Sequence, residues 1–126
     1  MAEISVLIVE DSFYSADLDV RELKKAGFTV RPKMVSSGQA MKDALKDEKW
    51  DLIISDNSMP NFNALKALEI RNDMGADIPF VIVSEDISQN EIDKAFEKGC
   101  TAFVAKEKLT ELRKVAADVL KGRRAD

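Results

Sequence analysis

Four short segments of the 126-residue chain concentrate its chemically capable side chains: VEDS at 9–12, SDNSMP at 55–60, VIVSE at 81–85 and TAFVAKE at 101–107. They contribute the carboxylates Glu10, Asp11 and Asp56, the hydroxyl of Ser84 and the ammonium of Lys106. Brought together, the carboxylates would repel one another: two unit charges 4 Å apart cost about 4 kcal/mol at an effective dielectric of 20. A cation offsets that repulsion. All-oxygen ligands with room for water suit Mg²⁺, which usually takes one or two carboxylates. Acids are also favoured at helix N-termini by the helix dipole. That accounts for Glu10 and Asp11, but not for Asp56, Ser84 and Lys106 at the ends of three other apolar runs.

Missing residue types narrow the chemistry further. The chain contains no histidine, which excludes Ser-His-Asp and Cys-His sites and most zinc sites. Any histidine-based phosphoryl chemistry must borrow its histidine from another molecule. The single cysteine, Cys100, forms no internal disulfide, follows Gly99 and precedes an apolar run, so a packing role and a reducing cytoplasmic location are expected. A net charge of −4 argues against a nucleic-acid-binding surface. No apolar run approaches the roughly 20 residues that span a membrane, and the N-terminus lacks the features of a signal peptide.

The elements that must position these residues are legible in the hydrophobic pattern. Five apolar runs, at 4–9, 29–35, 51–55, 78–83 and 101–105, read as strands. They alternate with segments of helical period at about 13–26, 38–48, 64–74, 89–98 and 108–121. The first, third and fourth runs are nearly continuous aliphatic stretches, as in strands buried on both faces of a parallel sheet. Phe13, Ala16, Val20 and Leu23 are expected to share the inner face of the first helix, with Ser12 as its cap and Gly27 past its end. Ile92, Ala95 and Phe96 are assigned to the fourth helix, with Ser88 as cap and Gly99 past its end. Pro32 cannot donate to a ladder, so the second strand belongs at an edge. The expected architecture is therefore α/β: a doubly wound, flavodoxin-like, five-stranded parallel sheet in the order 2-1-3-4-5, with helices on both faces. Residues 1–126 read as one domain, with 122–126 as a frayed tail or truncated linker. Ligands bind such sheets beyond the carboxyl ends of the strands, where strand order reverses. The four polar segments lie at the carboxyl ends of the first, third, fourth and fifth strands.

Those four segments, in that order, resemble a bacterial response-regulator receiver domain of the chemotaxis-receiver kind, over essentially the whole chain. The resemblance implies a phosphoacceptor switch of a two-component pathway. Asp56 would accept a phosphoryl group from a sensor histidine kinase or histidine phosphotransfer protein. Glu10 and Asp11, with Asp56 and the backbone carbonyl of Ser58, would hold Mg²⁺. Ser84 and Lys106 would contact the phosphoryl oxygens, and Phe103 would follow Ser84 inward on switching. The chain would catalyse only its own phosphorylation and dephosphorylation. It would be read by a downstream protein on the face of the fourth helix, fifth strand and fifth helix, with no direct contact to nucleic acid or membrane.

Three departures qualify that picture. Asn63 is read at a position where the family usually has glycine, and asparagine tolerates positive φ. Glu107 replaces a proline whose cis peptide shapes the loop in relatives, so Lys106 is expected to be aimed differently. Glu85 follows the strand-4 hydroxyl where a small residue is usual, and is expected to obstruct the path to Asp56 and repel incoming anions. The second reading is accordingly a degenerate receiver that binds proteins without phosphorylation. A flavin or nucleotide site of the same topology is disfavoured, because Glu10 and Asp11 would repel a phosphate from the first loop.

Overall fold

The computed structural model describes residues 3–123. Strands β1 (Glu3–Val9), β2 (Thr29–Val35), β3 (Leu52–Ser55), β4 (Phe80–Ser84) and β5 (Ala102–Ala105) alternate with helices α1 (Phe13–Lys25), α2 (Gly38–Asp47), α3 (Ala64–Asp73), α4 (Gln89–Glu97) and α5 (Glu111–Arg123). The sheet order is β2-β1-β3-β4-β5, and all four pairings are parallel. Pro32 pairs opposite Val6 on the edge strand β2, where a missing N–H interrupts no second ladder. Of the tail at 122–126, α5 extends through Arg123, and the remainder lies outside the described residues.

Every residue of β3 and β4 is buried, which explains their unbroken apolar reading, because helices cover both faces. On one face, Ala16, Val20 and Leu23 of α1 and Leu112, Ala116 and Leu120 of α5 pack on Ile4, Val6, Ile8, Leu52, Ile54, Val81, Val83 and Val104. On the other, α2, α3 and α4 deliver Met41, Ala44, Ala64, Ala67, Leu68 and Ala95 onto Leu7, Val9, Ile53, Phe80 and Ile82. Trp50, buried just before β3, donates its indole N–H to the carbonyl of Ala44 at 2.9 Å. That bond closes the end of α2 onto the strand. Cys100 is buried, as its apolar setting suggested, and its thiol donates to the carbonyls of Phe80 and Ala102.

The helix faces differ from expectation at four residues. Phe13 is 81% exposed, and the inner face of α1 is completed instead by Asp19 and Glu22, which are buried. Phe96 on α4 is also exposed, leaving Ala95 as that helix's buried residue. The fifth helical segment begins with a separate 3-10 turn, Lys106–Lys108, and α5 proper starts only at Glu111.

Candidate functional site

At the carboxyl end of the sheet, β1 and β3 run in register, Val9 opposite Ser55, so the next residues of each, Glu10 and Asp56, emerge side by side. Backbone bonds fix both. The Glu10 N–H donates to the Val35 carbonyl and the Asp56 N–H to the Val9 carbonyl, each at 2.9 Å. Both side chains are buried, at 3% and 6% exposure. β4 ends on Ser84, 1% exposed, paired with Ala105 of β5, and the next residue of β5's chain is Lys106.

Lys106 reaches into the crevice between the two acids. Its Nζ lies 3.5 Å from Asp56 Oδ2 and 3.6 Å from Glu10 Oε1. The expectation that Glu107 would redirect this lysine is therefore corrected. The 3-10 turn that follows β5 leaves Lys106 directed at both carboxylates. Burial alone would lower the lysine's pKa, but the charges of Asp56 and Glu10 outweigh it, and the pKa is raised. Glu10 is raised as well, first by burial and then by the Asp56 charge. Lys106 and the Ser12 N–H act against that shift.

The remaining oxygens are held by backbone. Asp56 Oδ1 accepts from the Asn57 N–H at 2.8 Å. Glu10 Oε2 accepts from the N–H groups of Asp11 and Ser12 at 2.9 and 3.2 Å. Asp11 is exposed at the rim, as is Ser58. The fully convergent carboxylates are thus two, Glu10 and Asp56. Among the described residues, no group of three His, Cys, Asp or Glu side chains is disposed to hold a metal ion. Two hard carboxylate ligands with an open rim still suit Mg²⁺, which keeps several waters.

Ser84 Oγ accepts from the Asp86 N–H at 3.2 Å. Phe103, on the adjacent strand, is half-buried and packs against the α2–α3–α4 side of the core. Glu85, the residue after Ser84, is exposed. After Asp56 the chain packs Met59 (7% exposed) into the core, with Pro60 in the turn that follows. Asn63 does not use its tolerance of positive φ. It caps α3 in extended backbone, φ −131°, accepting from the Lys66 N–H, and the left-handed residue of this loop is Asn61, φ 60°.

Two contributors escaped the sequence reading. Asp19 faces a small cavity of about 50 Å³ lined also by Ser15, Leu18, Lys106 and Leu109. Burial, then the Glu10 charge, push its pKa up to about 7. An acid interrupting an otherwise apolar helix stripe was the available signal. Asn57 joins the loop after β3 to two other elements through its amide. Nothing in its immediate sequence distinguishes it from an ordinary turn residue.

The family model of the response regulator receiver domain matches residues 6–117. The chain is 32% identical over 117 residues to hybrid signal transduction histidine kinase G of Dictyostelium discoideum, an alignment covering 90% of this chain and 3% of that protein. It is 28% identical over 136 residues to the two-component response regulator ARR15 of Arabidopsis thaliana, covering 98% of this chain and 66% of that protein. The chain thus spans less than two-thirds of the length of either relative. Among solved structures, the signal receiver domain of a putative Luxo repressor protein from Vibrio parahaemolyticus matches with a TM-score of 0.83 at 24% identity, covering 95% of this chain and 92% of that one. At that identity the likeness is one of fold. These relatives come from an amoeba, a plant and a bacterium, so what they share is the receiver domain and not a bacterial or chemotaxis subtype.

Proposed function

The chain belongs to the response regulator receiver family, and from that premise we propose that residues 1–126 act as one phosphoacceptor switch with Asp56 as the acceptor. Receiver domains of two-component signalling are phosphorylated by histidine kinases or phosphotransfer proteins. These 126 residues hold no histidine, so a phosphohistidine donor lies outside them. The observation that carries the reading is the buried Asp56, with Oδ2 3.5 Å from the Lys106 ammonium, and Glu10 on the same ammonium.

Asp56 Oδ2 attacks the phosphorus of a phosphoimidazole. The O–P bond forms as the P–N bond breaks, and the electron pair leaves on the imidazole nitrogen, which takes a proton from solvent. Phosphoryl transfer asks for positioning and charge neutralisation more than covalent help. β3 supplies the first by presenting Asp56 at a fixed point, and Lys106 supplies the second. Ser84 donates its hydroxyl to a phosphoryl oxygen once it turns from Asp86, and Phe103 follows it inward. Receiver domains generally bind Mg²⁺ at this acidic pocket. Here Glu10, Asp56 and the Ser58 carbonyl would hold it, with Asp11 reached through water, and the ion would supply further neutralisation of the phosphoryl oxygens. The downstream protein docks on the α4–β5–α5 face, in the cytoplasm. The assembled Asp56–Lys106–Glu10 group favours this reading over a receiver that has lost its chemistry.

Exposed next to the buried Ser84, Glu85 in this reading borders the path to Asp56 and slows small anionic donors and the water that hydrolyses the aspartyl phosphate. Incubation with Mg²⁺ and acetyl phosphate should give one acid-stable, base-labile phosphoryl group per chain, absent from Asp56→Asn. Glu85→Ala should label and decay faster. Labelling of Asp56→Asn to the wild-type level would overturn the assignment of the acceptor, and unchanged rates in Glu85→Ala would overturn the role of Glu85.

A further inference from the structure

Asn57 makes more connections between elements than any other side chain around the acceptor, and none of them serves the transfer chemistry directly. Its amide oxygen accepts from the Ala64 N–H at 3.2 Å, at the first residue of α3. Its amide nitrogen donates to the Asp86 carbonyl at 3.2 Å, in the β4–α4 loop, and to Glu91 Oε2 at 3.4 Å, in the first turn of α4. Its backbone N–H meanwhile donates to Asp56 Oδ1. One residue therefore touches the acceptor carboxylate, the start of α3 and the start of α4.

The far ends of these bonds are themselves committed. Glu91 closes the capping box of α4, its Oε1 accepting from the Ser88 N–H while Ser88 Oγ accepts from the Glu91 N–H, each at 3.1 Å. Asp86 is held from both sides, its carbonyl by Asn57 and its N–H by Ser84 Oγ at 3.2 Å. Ala95 is the one buried residue of α4, and its other cross-element polar bonds lie at its far end, where Asn72 donates to the Lys98 carbonyl and Lys98 pairs with Glu69. Its N-terminus is thus positioned largely by polar bonds that trace back to Asp56 and Ser84.

We propose that Asn57 is a positioning residue that latches the N-terminus of α4 to the acceptor loop, so that a change of charge at Asp56 is transmitted to α4 through the Asn57 amide. This rests on Asp56 being the acceptor. In the resting chain the Asn57 N–H donates to a carboxylate oxygen. Once Oδ2 carries a phosphoryl group, Oδ1 is the carbonyl oxygen of an acyl phosphate, without the full charge that strengthens such a bond. The Asn57 backbone is then free to shift, and its amide carries the shift to Asp86 and Glu91. Rotation of Ser84 toward the phosphoryl group releases Asp86 from its second tether at the same moment. Both events loosen one loop, so α4 responds to the pair more sharply than to either.

The test is amide NMR of the full chain before and after saturation with Mg²⁺ and beryllofluoride. The amides of Asp56 and Asn57 report occupancy of the acceptor, and those of Gln89–Ala95 report the latch. In the wild type both sets should shift. Asn57→Ala removes all three side-chain bonds. Asn57→Asp keeps the acceptor for Ala64 but replaces both donors with an oxygen facing Glu91. In either variant the residue 56 shift should persist, while the α4 response falls at least fivefold, since one hydrogen bond carries about that factor and each variant loses more than one. The double variant Asn57→Asp with Glu91→Gln restores a donor–acceptor pair in reversed sense, and should recover most of the α4 response. A merely structural role for Asn57 would not be rescued in this way. A full α4 response in both single variants, or no recovery in the double variant, overturns the latch. A wild type in which α4 shifts and residue 56 does not overturns the acceptor reading, and with it the premise of the latch.

Discussion

Asp19 shows where single residues outrun the pattern they sit in. The spacing of Ala16, Val20 and Leu23 identifies the inner stripe of α1, and Phe13 fits that period. Yet Phe13, the first residue of α1, is left exposed, lining a surface groove with Ile8, Pro32 and Met34 instead of entering the core. Asp19 is polar by type but lies on the buried stripe, close enough to Glu10 and Asp56 to feel their charge. Periodicity records where a side chain points, and says nothing of the charges it meets there. Because the folded-state pKa of about 7 is above the ordinary carboxylate value, the folded chain holds this proton through a range where the unfolded chain has lost it. Stability must therefore fall as pH rises from about 4 to about 7, and the ionised form is a net cost above that. Asp19→Asn removes the cost. In urea unfolding with EDTA, the variant should match the wild type near pH 4 and exceed it by roughly 2–4 kcal/mol at pH 8. A difference that does not change with pH would refute the burial argument.

At the level of elements, boundaries were legible where a side chain or a glycine specifies them. Ser12 and Ser88 start α1 and α4 by accepting from Ser15 and Glu91. Gly27 and Gly99 follow those helices at φ of 103° and 101°, a conformation costly for other residues. The sequence places the start of α5 about three residues early, because Leu109 and Leu112 repeat at a spacing that a 3-10 turn satisfies as well as an α-helix. Only the backbone bonds distinguish them, as in the Leu112 N–H donating to the Leu109 carbonyl. α4 is the element most dependent on its cap, being nine residues long with one buried side chain. Ser88→Ala should cost about 1 kcal/mol of stability. The loss should concentrate in α4, where amide hydrogen exchange of Gln89–Glu97 accelerates while that of β3 and β4 changes only with global stability. Uniform acceleration across the sheet would mean that α4 and the sheet unfold as one unit.

For the molecule as a whole, the sheet order followed from two observations, the unbroken apolar runs of the central strands and the proline of β2, because burial on both faces and a missing donor leave few positions open. The presence of the site followed from the order. Its geometry did not, since nothing in the chain around Lys106 states that its ammonium lies between Glu10 and Asp56. These groups come from positions 10, 56 and 106, and with Ser84 they meet only when β1, β3, β4 and β5 are all in register. The unfolded chain cannot reproduce that meeting, so a ligand of the site binds the folded state alone and stabilises the entire domain. Mg²⁺ with beryllofluoride, at a free concentration a hundred times its Kd, should raise the unfolding free energy by about 2.7 kcal/mol. Mg²⁺ alone should raise it less at equal concentration, because it offsets the repulsion between Glu10 and Asp56 without engaging Ser84 and Lys106. In Asp56→Asn the beryllofluoride increment should vanish, as the proposed acceptor oxygen is gone, although the rest of the crevice remains folded. An equal increment in that variant would locate the bound anion elsewhere on the molecule, and its absence from the wild type would mean that the acids at the head of the sheet serve packing of the crevice and not phosphoryl chemistry.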